Sequence, residues 1–116
     1  MVNGSGEQIR CFTFVEDDVD ATIMIAVNPK TIGEIYNVAS PVRVSVKALA
    51  NMIIKKYAKP GLEIKYSPPR QGENLRPVPD TTKIEKLGFK VKNSFEEGLE
   101  KTKLWIEGQL KKEKLL

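Results

Sequence analysis

The sequence contains no histidine and a single cysteine, Cys11. Without imidazole it cannot supply a Ser-His-Asp triad, a Cys-His nucleophile pair or a histidine metal ligand. One thiol forms neither an intramolecular disulfide nor a multi-cysteine zinc site, which fits a reducing compartment. Long apolar runs are missing as well. The longest, Ala21 to Val27, is seven residues with a Thr inside it, against roughly 20 for a bilayer span. Met1 is followed by Val-Asn-Gly-Ser-Gly rather than by a basic stretch and an apolar run, so no secretory signal is read and a soluble, cytoplasmic protein is expected.

What is present suits one domain over residues 1–116. With 41% hydrophobic and 29% charged residues, the chain can bury a core and is not a disordered tail. A formal charge of +4, from 19 Lys and Arg against 15 Asp and Glu, suits phosphate-bearing ligands without demanding nucleic acid. The Lys residues are scattered among Glu, and Phe12 and Phe14 are the only candidate stacking pair, so a nucleic-acid partner is not expected.

The local patterns give an order of strand, helix, strand, helix, strand, loop, helix, helix: a mixed α/β chain with about three short strands and three to four helices. Asn3-Gly4-Ser5-Gly6 is a turn signal, and Gln8 to Val15 is rich in strand formers, with Arg10, Phe12 and Phe14 alternating onto one face. Glu16, Asp17 and Asp18 favour a helix start, and Val19, Ile23, Ala26 and Val27 follow at helical spacing until Asn28-Pro29. Glu34 to Ala39 reads as a short strand covered on both faces with parallel neighbours. Ser45 is placed to cap a helix with Val46, Leu49, Ala50, Ile53, Ile54 and Tyr57 on one face, ended by Lys59-Pro60-Gly61. Leu62, Ile64 and Tyr66 alternate as in a half-buried strand, and Pro68 to Pro79 is an extended loop with four of the seven prolines. Asp80 can cap a short helix over Thr81 to Leu87, closed by Gly88. Ser94-Phe95-Glu96-Glu97 matches a capping box opening a last helix that buries Phe95, Leu99, Ile106 and Leu110 and ends in a solvated Lys111 to Lys114.

Two places are chemically loaded, Gly4 to Arg10 and Arg70-Gln71-Gly72-Glu73. Each sets an Arg beside glycine, and the planar guanidinium binds phosphate through two donors. An exposed Arg in a weak surface ion pair is the common alternative. Read together with Val15-Glu-Asp17-Asp-Val-Asp-Ala21, Ile35-Tyr-Asn37-Val, Asp80-Thr-Thr-Lys83, Leu87-Gly88-Phe89 and Ser94 to Leu99, these segments resemble the C-terminal, substrate-binding part of the extended short-chain dehydrogenase/reductase family. That group includes NAD-dependent nucleotide-sugar epimerases and dehydratases, UDP-glucose 4-epimerase and UDP-glucuronate decarboxylase among them. The similarity runs over nearly the whole chain in family order.

The resemblance implies a nucleotide-sugar, foremost a UDP-sugar, as the ligand. By it, Arg10 and Arg70 contact the diphosphate, Glu73 bonds the ribose and Phe12 lies near the base, while Asn37, Asp80 and Gly88 are architectural. Cys11 stands where many relatives carry Asp, and it reads as a small structural residue. NAD is implied for full-length relatives, which carry a Gly-x-x-Gly-x-x-Gly turn and a Tyr-x-x-x-Lys pair. Neither pattern occurs here, since Tyr36, Tyr57 and Tyr66 are followed four places on by Ser40, Gly61 and Arg70. The chain alone is therefore expected to hold no cofactor, to bind no metal and to have no catalytic residues of its own. The helix after Val15 and the segment around Tyr36 are expected to leave apolar surface that a nucleotide-binding-fold partner, or a second copy, would cover. A stand-alone nucleotide-binding or protein-interaction module without chemistry is the alternative.

Overall fold

The computed structural model describes residues 1–58 and 60–113. The end of the second helix at Lys59 and Lys114 of the solvated terminus lie outside the described residues. In chain order the elements are β1 (Val2–Asn3), β2 (Ile9–Arg10), α1 (Val15–Ala26), a 3₁₀ turn (Pro29–Thr31), β3 (Val44–Ser45), α2 (Val46–Tyr57), β4 (Tyr66–Ser67), α3 (Thr82–Glu85) and α4 (Phe95–Lys112). The mixed α/β class expected from the sequence is what forms.

The strands are shorter than their sequence patterns suggest. β1 pairs in parallel with β4, Val2 opposite Tyr66, and β2 pairs antiparallel with β3, Ile9 opposite Ser45. Pro68 follows β4 directly and has no N–H to continue a ladder. The strand expected over Gln8 to Val15 is confined to Ile9–Arg10, so Arg10, Phe12 and Phe14 do not form a β face; Phe14 is the N-cap of α1. Glu34 to Ala39 is not a strand, because no described strand runs alongside to pair with it. It still alternates: Ile35 is exposed while Tyr36 and Val38 pack inward.

The chain divides into two compact units, one of Met1–Phe12 with Pro41–Val78 and one of Thr13–Ser40 with Pro79–Leu116. In the second, Ala21, Ile84 and Phe89 are buried, and Met24, Ile25, Tyr36, Val38 and Val91 close around them. The inward face of α1 is therefore Asp17, Ala21, Met24 and Ile25, whereas Val15, Val19, Ile23 and Val27 are exposed, as is Ile106 on α4. Asp17 is only 1% exposed. Its Oδ1 accepts from the Lys92 N–H at 2.8 Å, and its Oδ2 accepts from the Asn93 Nδ2 at 3.2 Å and the Asn93 N–H at 3.4 Å. A buried carboxylate is tolerated because donors meet it on both oxygens.

The caps form as their residue types dictate. Ser45 Oγ accepts from the Ala48 N–H at 3.0 Å, and the Ser94–Glu97 capping box is complete. α3 differs: its N-cap is Thr81 with no side-chain cap bond, one residue after the expected Asp80, whose side chain accepts from the Thr82 N–H at 3.0 Å. Asn37 Nδ2 donates to the Asp80 carbonyl at 3.1 Å, and Gly88 takes φ +95°. Gly98 on α4 is buried because a Cβ there would lie 3.1 Å from that of Phe14.

Candidate functional site

The first unit is organised by two backbone segments, residues 2–10 and 65–75. The Val2 N–H donates to the Lys65 carbonyl at 2.8 Å, Gly4 to Ser67 at 2.9 Å and Ile9 to Leu75 at 2.8 Å. The turn between β1 and β2 can lie this close only because of its glycines. Gly6 has φ +77°, and a Cβ there would stand 2.9 Å from that of Lys47 and 3.0 Å from Val2 Cγ1. The buried Gln8 side chain ties the turn internally, its Nε2 donating to the Asn3 carbonyl at 3.0 Å.

Arg10, in β2, is fixed by three bonds. Its Nη1 donates to the Ile9 carbonyl at 2.8 Å and the Asn74 carbonyl at 3.1 Å, and its Nη2 donates to Glu73 Oε1 at 2.6 Å. The pair is partly buried, the Arg10 side chain 30% and Glu73 16% exposed, so it is better held than a solvent-exposed ion pair. Glu73 thus meets Arg10, a contact the sequence did not anticipate.

Arg70 is exposed on the proline-rich loop. Its partner is Asn3: with Asn3 Nδ2 donating to Ser67 Oγ at 2.6 Å, Asn3 Oδ1 accepts from Arg70 Nε at 2.7 Å and Nη2 at 3.0 Å. This amide orientation is assigned because the reverse would set donors against donors. Arg70 and Glu73 are three residues apart, at most about 11 Å of extended backbone. Glu73 holds Arg10, so the Arg10 guanidinium is tied to the same loop that carries Arg70. Phe12 is half-buried just beyond β2 in the same unit, and Cys11 beside it is half-buried too.

Four groups of the second unit have acidities moved by the fold. Hydrogen bonding and charge from Lys83 lower the Glu34 pKa, and bonds from Thr82 lower that of Asp80. Bonds from Ser94 lower that of Glu97, and bonding to Asp20 raises that of Lys92. No group of three or more His, Cys, Asp or Glu suited to a metal occurs among the described residues. Six glycines take positive φ, at positions 4, 6, 33, 61, 72 and 88, and none of them opens a helix as a dinucleotide-binding turn does. No described helix is long and apolar enough to cross a membrane.

Solved structures share this fold. An epimerase from the methanogen Methanothermobacter thermautotrophicus matches 95% of the chain and 33% of its own at TM-score 0.87 and 28% identity. UDP-glucose 4-epimerase from Thermotoga maritima, solved with UDP-glucose, matches 94% of the chain and 35% of its own at TM-score 0.81 and 28% identity. In sequence, the UDP-N-acetyl-alpha-D-glucosaminuronate decarboxylase of Bacillus cytotoxicus is 35% identical over 113 residues, covering 91% of this chain and 35% of the relative. The fold and motif order are those of the extended short-chain dehydrogenase/reductases, the class of NAD-dependent nucleotide-sugar epimerases and dehydratases. Within that class the chain belongs to the GDP-mannose 4,6-dehydratase family, whose profile matches residues 1–102. It spans about a third of the length of the first curated relatives it matches, and 16% of the longer trifunctional ones.

Proposed function

We propose that residues 1–116 are the nucleotide-sugar-binding portion of an NAD-dependent epimerase or dehydratase, with a UDP-sugar as ligand, and that this portion is catalytically incomplete by itself. The observation that carries the reading is the pair Arg10 and Arg70, each held by its own acceptor, Glu73 and Asn3, within the first unit. A held guanidinium offers paired donors to phosphate oxygens, and Arg70, held by a neutral amide, also brings its charge. Glu73 engages Arg10 through Oε1, and its Oε2 is the acceptor assigned to a ribose hydroxyl. Phe12 is assigned to the base.

The chain's own contribution is binding and orientation. Hydride transfer in this class needs a held dinucleotide and a base of suitable pKa. The sequence has no Gly-x-x-Gly-x-x-Gly turn and no Tyr-x-x-x-Lys pair, so no hydride or proton step is assigned to it. The exposed stripe Val15, Val19, Ile23 and Val27 supports a covering partner, a nucleotide-binding fold or a second copy. A clean monomer by light scattering that binds no apolar dye would remove that part of the proposal.

Calorimetric titration at low salt with UDP, UDP-glucose and NAD tests the reading. Binding of both uridine ligands but not of NAD, weakened at least tenfold in Arg70→Ala, is the expected result. Equal affinity in that variant would refute the phosphate role of Arg70. The alternative of a binding module without chemistry gives the same titration; it gains ground if no partner restores epimerase or dehydratase turnover.

A further inference from the structure

A long, charged side chain on an irregular loop ordinarily samples many rotamers and loses that freedom when it binds. Arg70 is exposed and lies in a segment without helix or strand, yet two bonds to one amide oxygen hold it: Nε at 2.7 Å and Nη2 at 3.0 Å from Asn3 Oδ1. The amide itself sits on fixed support. Asn3 is in β1 opposite Ser67, its Nδ2 donates to Ser67 Oγ at 2.6 Å, and its carbonyl accepts from buried Gln8. Gly4, the next residue, brings the turn against Pro69, where a Cβ would meet that of Pro69 at 3.3 Å.

The grip occupies the side-on edge of the guanidinium, formed by Nε and Nη2. The grip does not use the end-on edge, Nη1 with the second hydrogen of Nη2. Two phosphate oxygens fit that edge. The chemical nature of the acceptor matters equally. Arg10 is paired with a carboxylate, Glu73, and its charge is largely offset. Arg70 is held by a neutral amide, which orients the fork and leaves its full charge for an anion.

We propose that Asn3 is a positioning residue for Arg70, presenting an oriented and uncompensated guanidinium to the diphosphate; this rests on the reading of Arg70 as a phosphate contact. The test compares the full chain with Asn3→Ala, Asn3→Asp and Arg70→Ala. First, the Arg70 Nε–H resonance, identified by its loss in Arg70→Ala, is followed by NMR. It should exchange slowly in the wild type, merge with solvent exchange in Asn3→Ala and persist in Asn3→Asp, which keeps the acceptor. Second, inorganic pyrophosphate and UDP are titrated. Asn3→Ala should weaken both about tenfold, as loss of a preorganising bond does. Asn3→Asp should weaken them at least as much, because it holds Arg70 but neutralises it. Combined with Arg70→Ala, Asn3→Ala should add nothing, a coupling that general destabilisation would not produce. A Nε–H signal that persists in Asn3→Ala, or wild-type affinity in that variant while Arg70→Ala fails to bind, overturns the proposal. If the wild type binds neither pyrophosphate nor UDP, the phosphate reading of Arg70 falls and takes the positioning role with it, and an intact Nε–H signal would identify that as the point of failure.

Discussion

The two compact units are held together by different physics. The unit of Thr13–Ser40 and Pro79–Leu116 has an apolar centre of Ala21, Ile84 and Phe89 and a buried carboxylate, Asp17, with every bond satisfied by residues 92 and 93. In the unit of Met1–Phe12 and Pro41–Val78, the fully buried described residues are Val2, Gly6 and Gln8, and none lies in a helix. Even α2, with its apolar stripe, buries no residue completely. That unit relies on a backbone ribbon and on polar grips around arginines. All four residues assigned to the ligand, Arg10, Phe12, Arg70 and Glu73, belong to it. The proposed diphosphate contact needs donors left at the surface, which burial in an apolar core would not allow.

The contrast can be broken most strongly at Asp17. Asp17→Ala leaves the Lys92 N–H, the Asn93 N–H and the Asn93 amide without their acceptor in a buried place, and we expect a loss of about 4 kcal/mol in urea unfolding. In the other unit the largest effect belongs to backbone shape. Gly6→Ala meets Lys47 Cβ at 2.9 Å at a positive φ, so a loss of about 2 kcal/mol is expected by the same measurement. Ser94→Ala removes the capping box of α4 and should cost about 1 kcal/mol.

Acidity sharpens the comparison further, through four shifted groups of the second unit. Glu34, Asp80 and Glu97 have pKa values lowered by folding. A lowered carboxylate pKa gives stability that is complete above the ordinary carboxylate range and disappears as pH falls through the folded value. Lys92 is raised, so its share is complete below the ordinary lysine value and fades as pH climbs past it. A thermal melting series should therefore show a plateau between about pH 5 and pH 10, with losses on both sides. A melting temperature that rises on acidification below pH 5 would contradict this assignment.

Legibility from sequence follows the same division between local and distant causes. α2 and α4 are announced by Ser45 and by the Ser94–Glu97 box, signals spanning a few residues, and both form. α1 was readable as a helix, but it carries two apolar stripes. Val19, Ile23 and Val27 look like the core face, yet the smaller stripe of Ala21, Met24 and Ile25 turns inward, with Asp17 on it. The acidic run at its start reads as helix-dipole complementarity, which hides the one carboxylate that is buried. A polar residue in phase with Ala21 and Ile25 was the available signal. The pairing of β1 with β4 joins residues about 64 positions apart, and two-residue strands carry no periodicity to reveal it. Arg10 and Arg70 were singled out through ordered motifs. The Asn3 grip was not, because Asn-Gly reads as a turn and its partner is set by that distant pairing.

The central claim is that the weakly cored unit is the one that meets the diphosphate. Titrating the labelled chain with UDP-glucose while following backbone and arginine side-chain NMR signals tests it directly. The account predicts shifts concentrated at Asn3, Arg10, Phe12, Arg70 and Glu73, saturating together and needing at least about tenfold more ligand in Arg70→Ala. Saturable shifts confined to residues 13–40 and 79–113, or shifts unchanged in that variant, would contradict it.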